Sequence, residues 1–442
     1  AKQAPFEEIE ELYRDDIHLT HEVGKYLMHN AMRQAFGQPT SVAGFEKIDV
    51  HVRQYLDGIL ALLATGPADK GVLAQILAIE ETVDRPALIA RISDENLRNN
   101  LTEILPQIQR AAEVRRSTLK LESEINDIGG KLFCTPSGPQ WLYLATGDSG
   151  MEIFDVPATI DLYNGNNPLK GQGGRNERVT DLWLERLSGL TSLRKLDLAN
   201  CAIQGQGLRH VGGLTRLREL NLTLTPIADD ALAHLAGLTD LRKLGLASTQ
   251  CNGTGFAHLK ALRKLESVNF HFTPLNDDGL RAISQVPISD RLWFAHTHFT
   301  DKGSASLTAL TQLKRCGIGS AEQGSSGEAV ASLASLPLED LALLDNQATP
   351  IGLAHAAKIA TLIRLDASHA PTVKDDSMSL LARMPNLEEL KLGSAQVTDA
   401  GLQLLAASKS LKKLSLSGIK AITPAGIDRL RRDCPDWMIE VK

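Results

Sequence analysis

LRKLDLANCAI, residues 193–203, and VTDAGLQLLA, residues 397–406, are the two halves of one recurring unit. In the first half Leu196 and Leu198 alternate with Asp197, so the leucines share one face of a short strand and the aspartate takes the other. In the second half the period changes. Leu402, Leu405 and Ala406 fall three and four apart, the spacing of a helix with one apolar stripe. Thr398 or Asp399 is placed to accept a hydrogen bond from the free amides of that helix's first turn.

Written out, the unit reads L-x-x-L-x-L-x-x-T-x-I-x-D-x-G-L-x-x-L-x-x-L-x-x. Copies begin at Leu193, Leu217, Leu241, Leu265, Leu313, Leu338, Leu362, Leu387 and Leu411, at steps of 24 or 25 residues where neighbours adjoin. A further copy begins at Ser289, where Leu292 and Phe294 keep the frame. An irregular copy anchored by Ile160 and Leu162 precedes them all, separated by an insertion. No single unit can bury its own apolar stripe. Stacked units bury it against their neighbours, with parallel strands along one wall and helices along the other.

These units resemble leucine-rich repeats, with motifs nearest to the ribonuclease-inhibitor-like and cysteine-containing subtypes of bacterial type. The resemblance covers roughly residues 157–442. It implies an α/β fold: a right-handed solenoid with a parallel sheet on the concave wall and helices outside, serving as a non-enzymatic binding scaffold. In this reading a cap spans about 136–156 and the irregular first repeat 157–192. Ten repeats run through 193–434, and a C-terminal cap at 435–442 has Trp437 and Met438 covering the last core layer. Cys201 falls where the cysteine-containing subtype places Cys or Asn, whereas Thr225, Thr249, Thr273 and Thr297 fill that slot in later copies.

Residues 1–135 show no such repeat. Their apolar spacing predicts an all-α bundle, with helices near 5–14, 20–36, 42–64, 68–82 and 86–128. This segment has 21 acidic and 15 basic side chains, which accounts for the whole formal charge of −6; the rest balances at 32 against 32. Without a basic field over a large face, nucleic acid is not an expected partner. No run of about 18 apolar residues occurs, so no spanning helix is expected. The opening AKQAP fits a cleaved precursor, hence a secreted or periplasmic protein, and equally a trimmed cytoplasmic one.

Sequence motifs give no catalytic chemistry. HLTHEVGKYLMH holds His18, His21 and His29, but Lys25 stands where a zinc-protease HExxH motif needs its second histidine. The Gly- and Asn-rich insertion at 163–176 lacks the full spacing of a phosphate-binding loop. Five scattered cysteines form no CxxC pair, and Cys134 has no activating neighbours in sequence. The reading therefore expects no catalytic residue, no metal and no cofactor.

What remains is the open wall of the sheet. Around ESVNFHFTPLNDDGL, residues 266–280, projection of the repeat places Phe270 inward, whereas Asn269, His271, Arg291, Trp293 and Arg315 point outward as one neighbourhood. The fold does not require an outward tryptophan, and Trp and Arg are the residues most enriched in binding hot spots. Gly245 and Gly317 flank the patch and leave room for a ligand. His271, His296 and His298 occupy slots that point different ways, which argues against a metal. Trp183 stands where VTDAG has Gly401 and is expected to contact the helical segment. The function expected is recognition of a protein or peptide. The alternatives are an assembly subunit docking through the N-terminal helices, and a substrate-recruiting adaptor of an enzyme complex.

Overall fold

The computed structural model describes Asn30, Arg110 and residues 113–135, 155–163, 175–321 and 326–442. The expected helices at 5–14, 42–64 and 68–82 lie outside these residues, as do most of those at 20–36 and 86–128, most of the 136–156 cap and most of the 163–176 insertion. The chain divides into one unit of residues 1–124 with 132–158 and a second of 125–131 with 159–442. Residues 113–124 of the first unit are helical; Lys131–Thr135, at the end of the 1–135 segment expected to be all-α, is a strand.

A thirteen-stranded sheet contains one short strand per repeat, and the pairings from Val156–Asp161 through Met438–Val441 are parallel. Each strand advances the register by one repeat, so Leu196 stands beside Leu220, Leu220 beside Leu244 and Leu244 beside Val268. Leu196 and Leu198 are fully buried, and Phe270 and Phe294 replace leucine in the same column without exposure. Thr225, Thr249 and Thr273 are buried beneath the strand ends, and their hydroxyls donate to the carbonyls of Leu222, Leu246 and Phe270. Cys201 fills that slot with its thiol toward Leu162 and Ala199 carbonyls.

The outer segments are not all α-helical. Trp183–Leu187, Gln206–His210, Asp229–Leu235, Thr254–His258, Gly303–Ala309 and Glu328–Leu333 are 3-10 turns. Asp277–Ile283, Pro350–Ala356, Asp399–Leu405 and Pro424–Asp433 are α-helices, each begun by a side chain that accepts a first-turn amide: Asn276, Thr349, Thr398 or Thr423. None of the six 3-10 turns has such a side-chain cap. In several of them a carboxylate from the preceding repeat supplies the acceptor: Asp181 to Gly207, Asp229 to Gly255 and Asp301 to Ala329. Satisfying the orphan amides from a neighbouring repeat needs no full α-turn.

The motif aspartate therefore ties repeats together. Thr398 caps its own helix, but Asp399 reaches forward to the amide and hydroxyl of Thr423, at 2.9 and 2.6 Å. This contact also accounts for glycines at the corresponding slot of the following repeat. A β-carbon at Gly426 would overlap Asp399, and one at Gly401 would overlap Asp375. Trp183 stands in the equivalent slot of the irregular first repeat, which no preceding motif aspartate approaches. It is 7% exposed, with the Arg186 guanidinium 5.9 Å from its ring centre.

The C-terminal cap differs from expectation. Met438–Val441 adds a further parallel strand on Lys413–Ser417, with Ile439 beside Leu414. Met438 is 60% exposed and Trp437 half-buried, so the final layer is continued by a strand rather than covered by these two side chains.

Candidate functional site

The sheet face opposite the helices presents two columns of side chains. Along the first run Lys195, Glu219, Lys243, Ser267, Arg291, Arg315, Asp340, Arg364, Glu389 and Lys413, in register from strand to strand. Neighbouring charges pair: Lys195 and Lys243 share Glu219, Arg364 pairs with Asp340, and Lys413 with Glu389 and Glu440. Arg315 holds Asp290 through two guanidinium nitrogens, and this hydrogen bonding raises its pKa above the ordinary arginine value. Arg291 is exposed and makes no ion pair among the described residues.

In the second column Asn269, Trp293 and Gly317 stand side by side. Gly317 is not open space. A β-carbon there would overlap the indole of Trp293, with Cζ2 at 2.8 Å, so the ring lies across the glycine. Gly245 is similarly taken up, since a β-carbon would come within 2.7 Å of Asn221 Oδ1. The room expected at these glycines is thus filled by neighbouring side chains. The resulting surface has a half-buried indole laid along it rather than a pocket beside it. Asn269 Oδ1 accepts the His271 amide at 2.9 Å.

His271 belongs to a separate cluster at the strand ends. The backbone turns left-handed at the same slot of many repeats, at Asn200, Leu224, Ser248, Phe272, His296, Asp345 and Ser394, but not at Ser320 or His369. This conformation swings Phe272 and His296 outward as a stacked pair, ring centres 4.2 Å apart and 8° from parallel. His271 packs edge-on against both, at 4.3 and 5.2 Å. The separate slots of His271 and His296 therefore do not keep their rings apart, although no group of the described residues could hold a metal ion.

Asp345 was invisible to the repeat pattern as a member of this cluster. Its carboxylate accepts the His296 amide at 2.6 Å and meets His296 Nδ1 at 2.9 Å, from two repeats further along. It passes over Gly319, where a β-carbon would sit 2.5 Å from Asp345 Oδ2. In the regular repeats this amide is satisfied by the next strand, as in Phe272 to the Ala295 carbonyl and Ser248 to that of His271. Here the Gly319 carbonyl instead accepts the Thr297 hydroxyl, and Asp345 replaces it.

Burial, then the charge of His296, lowers the His271 pKa below its ordinary 6.5, with Asp345 opposing, and Nδ1 is buried without a hydrogen bond. Below 6.5 the unfolded chain therefore binds a proton that the folded chain resists, so this residue costs stability as pH falls through that value. Urea unfolding at about pH 7 and about pH 5.5 should show the wild type losing stability on acidification. His271→Gln should flatten the difference; an unchanged slope would remove His271 as a source.

The five cysteines are free thiols. Burial pushes Cys201 and Cys251 up to about 12, and it raises Cys134 despite Arg115 3.7 Å from its sulfur, so none is poised as a thiolate.

The Leucine Rich repeat family model matches residues 189–210 and 383–406, at both ends of the stacked array. This match agrees with the register and buried leucine columns above. The chain carries leucine-rich repeats. An internalin from Listeria monocytogenes is similar at 20% identity over 58% of this chain and 82% of that one, with a TM-score of 0.40. A TLR13–ssRNA13 complex is similar at 17% identity over 53% and 47%, with a TM-score of 0.26. No curated protein shows significant sequence similarity. Leucine-rich repeat domains are generally protein-binding and typically non-catalytic, and no enzyme family is detected in the sequence. Among the described residues no helix is long and apolar enough to cross a membrane.

Proposed function

We propose that this leucine-rich repeat protein is a non-enzymatic scaffold that recognises a protein or peptide on the open face of its sheet, centred on Trp293. The observation that carries the reading is the indole itself. It lies half-buried across Gly317, held flat by the sheet, and offers a rigid aromatic surface with Arg291 and Asn269 beside it. A preorganised aromatic loses little entropy on binding and can anchor an interface. Arg315, committed to Asp290, supports the patch by holding the adjoining strand's charge in place.

The test is affinity capture from the source organism's extract, comparing wild type with Trp293→Ala. A partner retained by wild type should bind the variant roughly thirtyfold more weakly or worse, the scale of a hot-spot truncation, while circular dichroism stays unchanged. Equal capture by both, with a lowered unfolding midpoint in the variant, would make Trp293 a packing residue and remove the assignment.

A further inference from the structure

Three hydrogen-bond donors in this patch have no protein partner. Arg291, Asn269 Nδ2 and Trp293 Nε1 make no hydrogen bond or ion pair among the described residues. The register puts Asn269 directly beside Trp293, and Arg291 two residues before Trp293 on the same face. No unpaired carboxylate accompanies them. In the column from Lys195 to Arg315, four cations (Lys195, Lys243, Arg291 and Arg315) face two carboxylates, Glu219 and Asp290. Glu266 is engaged by Arg242, and Asp197 holds Asn221 and the Ala199 amide at the far end. Two positive charges are thus left over, one where Lys195 and Lys243 share Glu219 and one on Arg291, and of these it is Arg291 that stands beside the free donors. The other cations of this column all have a carboxylate on an adjacent strand, so the isolation of Arg291 departs from the rule its neighbours follow.

Resting on the reading above, we propose that the partner is an acidic peptide segment, in which an Asp or Glu carboxylate meets Arg291 and Asn269 while an adjoining apolar or aromatic side chain lies on Trp293. A carboxylate matches the forked guanidinium in geometry and charge. Arg291 and Trp293 are two residues apart on one strand, about 7 Å, so an extended peptide lying along that strand brings one side chain to Arg291 and the next one on the same face within reach of Trp293. A nucleic acid is the poorer match. Its phosphates repeat along the strand and call for a track of free cations, whereas here the cations flanking Arg291 are already paired.

The experiment is selection of a phage-displayed library of random short peptides on the full chain and on Arg291→Glu. Arg291 is exposed and unpaired, so the variant should keep its circular dichroism spectrum and unfolding midpoint. Peptides enriched on wild type should carry Asp or Glu well above the input library, and the excess should vanish on Arg291→Glu. A resynthesised peptide should bind Arg291→Ala roughly ten- to a hundredfold more weakly, with Arg291→Lys retaining part of the affinity. Enrichment without an acidic excess, or an excess that survives Arg291→Glu, would overturn the acidic chemistry and leave the sheet-face reading standing. Tighter binding of a single-stranded RNA oligonucleotide, lost in Arg291→Glu, would overturn it in favour of a phosphate ligand. No enrichment on wild type, together with equal extract capture by Trp293→Ala, would defeat the underlying reading and this inference with it.

Discussion

Replacing Gly279 with alanine is expected to destabilise the repeat array by about 3 kcal/mol, the scale of overpacking in a close-packed interior. Gly279 is buried at the start of the helix Asp277–Ile283, where its repeat meets the one before. A β-carbon would overlap the Asn252 carbonyl oxygen and stand 2.9 Å from both the Asn252 carbonyl carbon and Leu275 Cδ1. The first obstacle is backbone, which no rotamer change can move aside. Relief has to come from shifting one repeat against the other, and that shift disturbs the Asn276 cap on the Gly279 amide, now 2.9 Å. Gly213 is the control, because its β-carbon would meet nothing within 4 Å; Gly213→Ala should leave the urea midpoint nearly unchanged. Comparable midpoints for the two variants would show that the repeat interface yields more easily than this packing implies. The same steric reasoning covers the motif glycines at 303, 401 and 426, each against an aspartate of the preceding repeat.

The fold was legible because its determinants are local and repeated. Leucines at fixed spacing report which face of a three-residue strand is buried, and the next copy repeats the report, so register follows from counting. The glycine in D-x-G-L was legible as a pattern and its cause was not, since the atom that excludes a side chain belongs to the preceding repeat. Outer helices were read from apolar spacing that 3-10 and α-turns share over five to seven residues; an N-cap side chain accepts a first-turn amide in four α-helices but not in Asp376–Leu381, and in three of the 3-10 turns the acceptor comes from the preceding repeat. At the candidate site, the repeat frame gives the strand register of Asn269, Trp293, Arg291 and Arg315, because position on a strand fixes direction. Where each side chain then lies depends on its rotamer and its neighbours. The indole folds onto Gly317 and Arg315 turns to Asp290, neither of which a column of letters can show. His271 misled for a further reason. The left-handed turn at Phe272 and His296 is adopted by ordinary residues, and it carries their rings to His271 from slots that look remote.

Asp345 offers the second large effect. Asp345→Ala should cost about 2–3 kcal/mol in an equilibrium unfolding experiment, from two sources of similar size. One is the backbone: Asp345 has φ 49°, a region that aspartate tolerates better than alanine. The other is the clasp. Its carboxylate satisfies the His296 amide, whose usual acceptor on the next strand is taken by the Thr297 hydroxyl, and pairs with His296 Nδ1. Asp345→Gly separates the two, because glycine relieves the backbone while still losing both contacts, so its cost should be roughly half that of alanine. Asp345→Asn keeps an oxygen for the amide and a residue suited to the left-handed turn, and should be the mildest of the three. Gly319→Ala approaches the same clasp from below, pressing a β-carbon to 2.5 Å from Asp345 Oδ2 and 2.9 Å from Leu344 Cβ. If the carboxylate bridges the break in the ladder, Gly319→Ala combined with Asp345→Gly should cost less than the sum of the two, since the first change has little left to disturb. Strict additivity would mean that Gly319 and Asp345 act independently, and the clasp would then contribute nothing beyond the local turn.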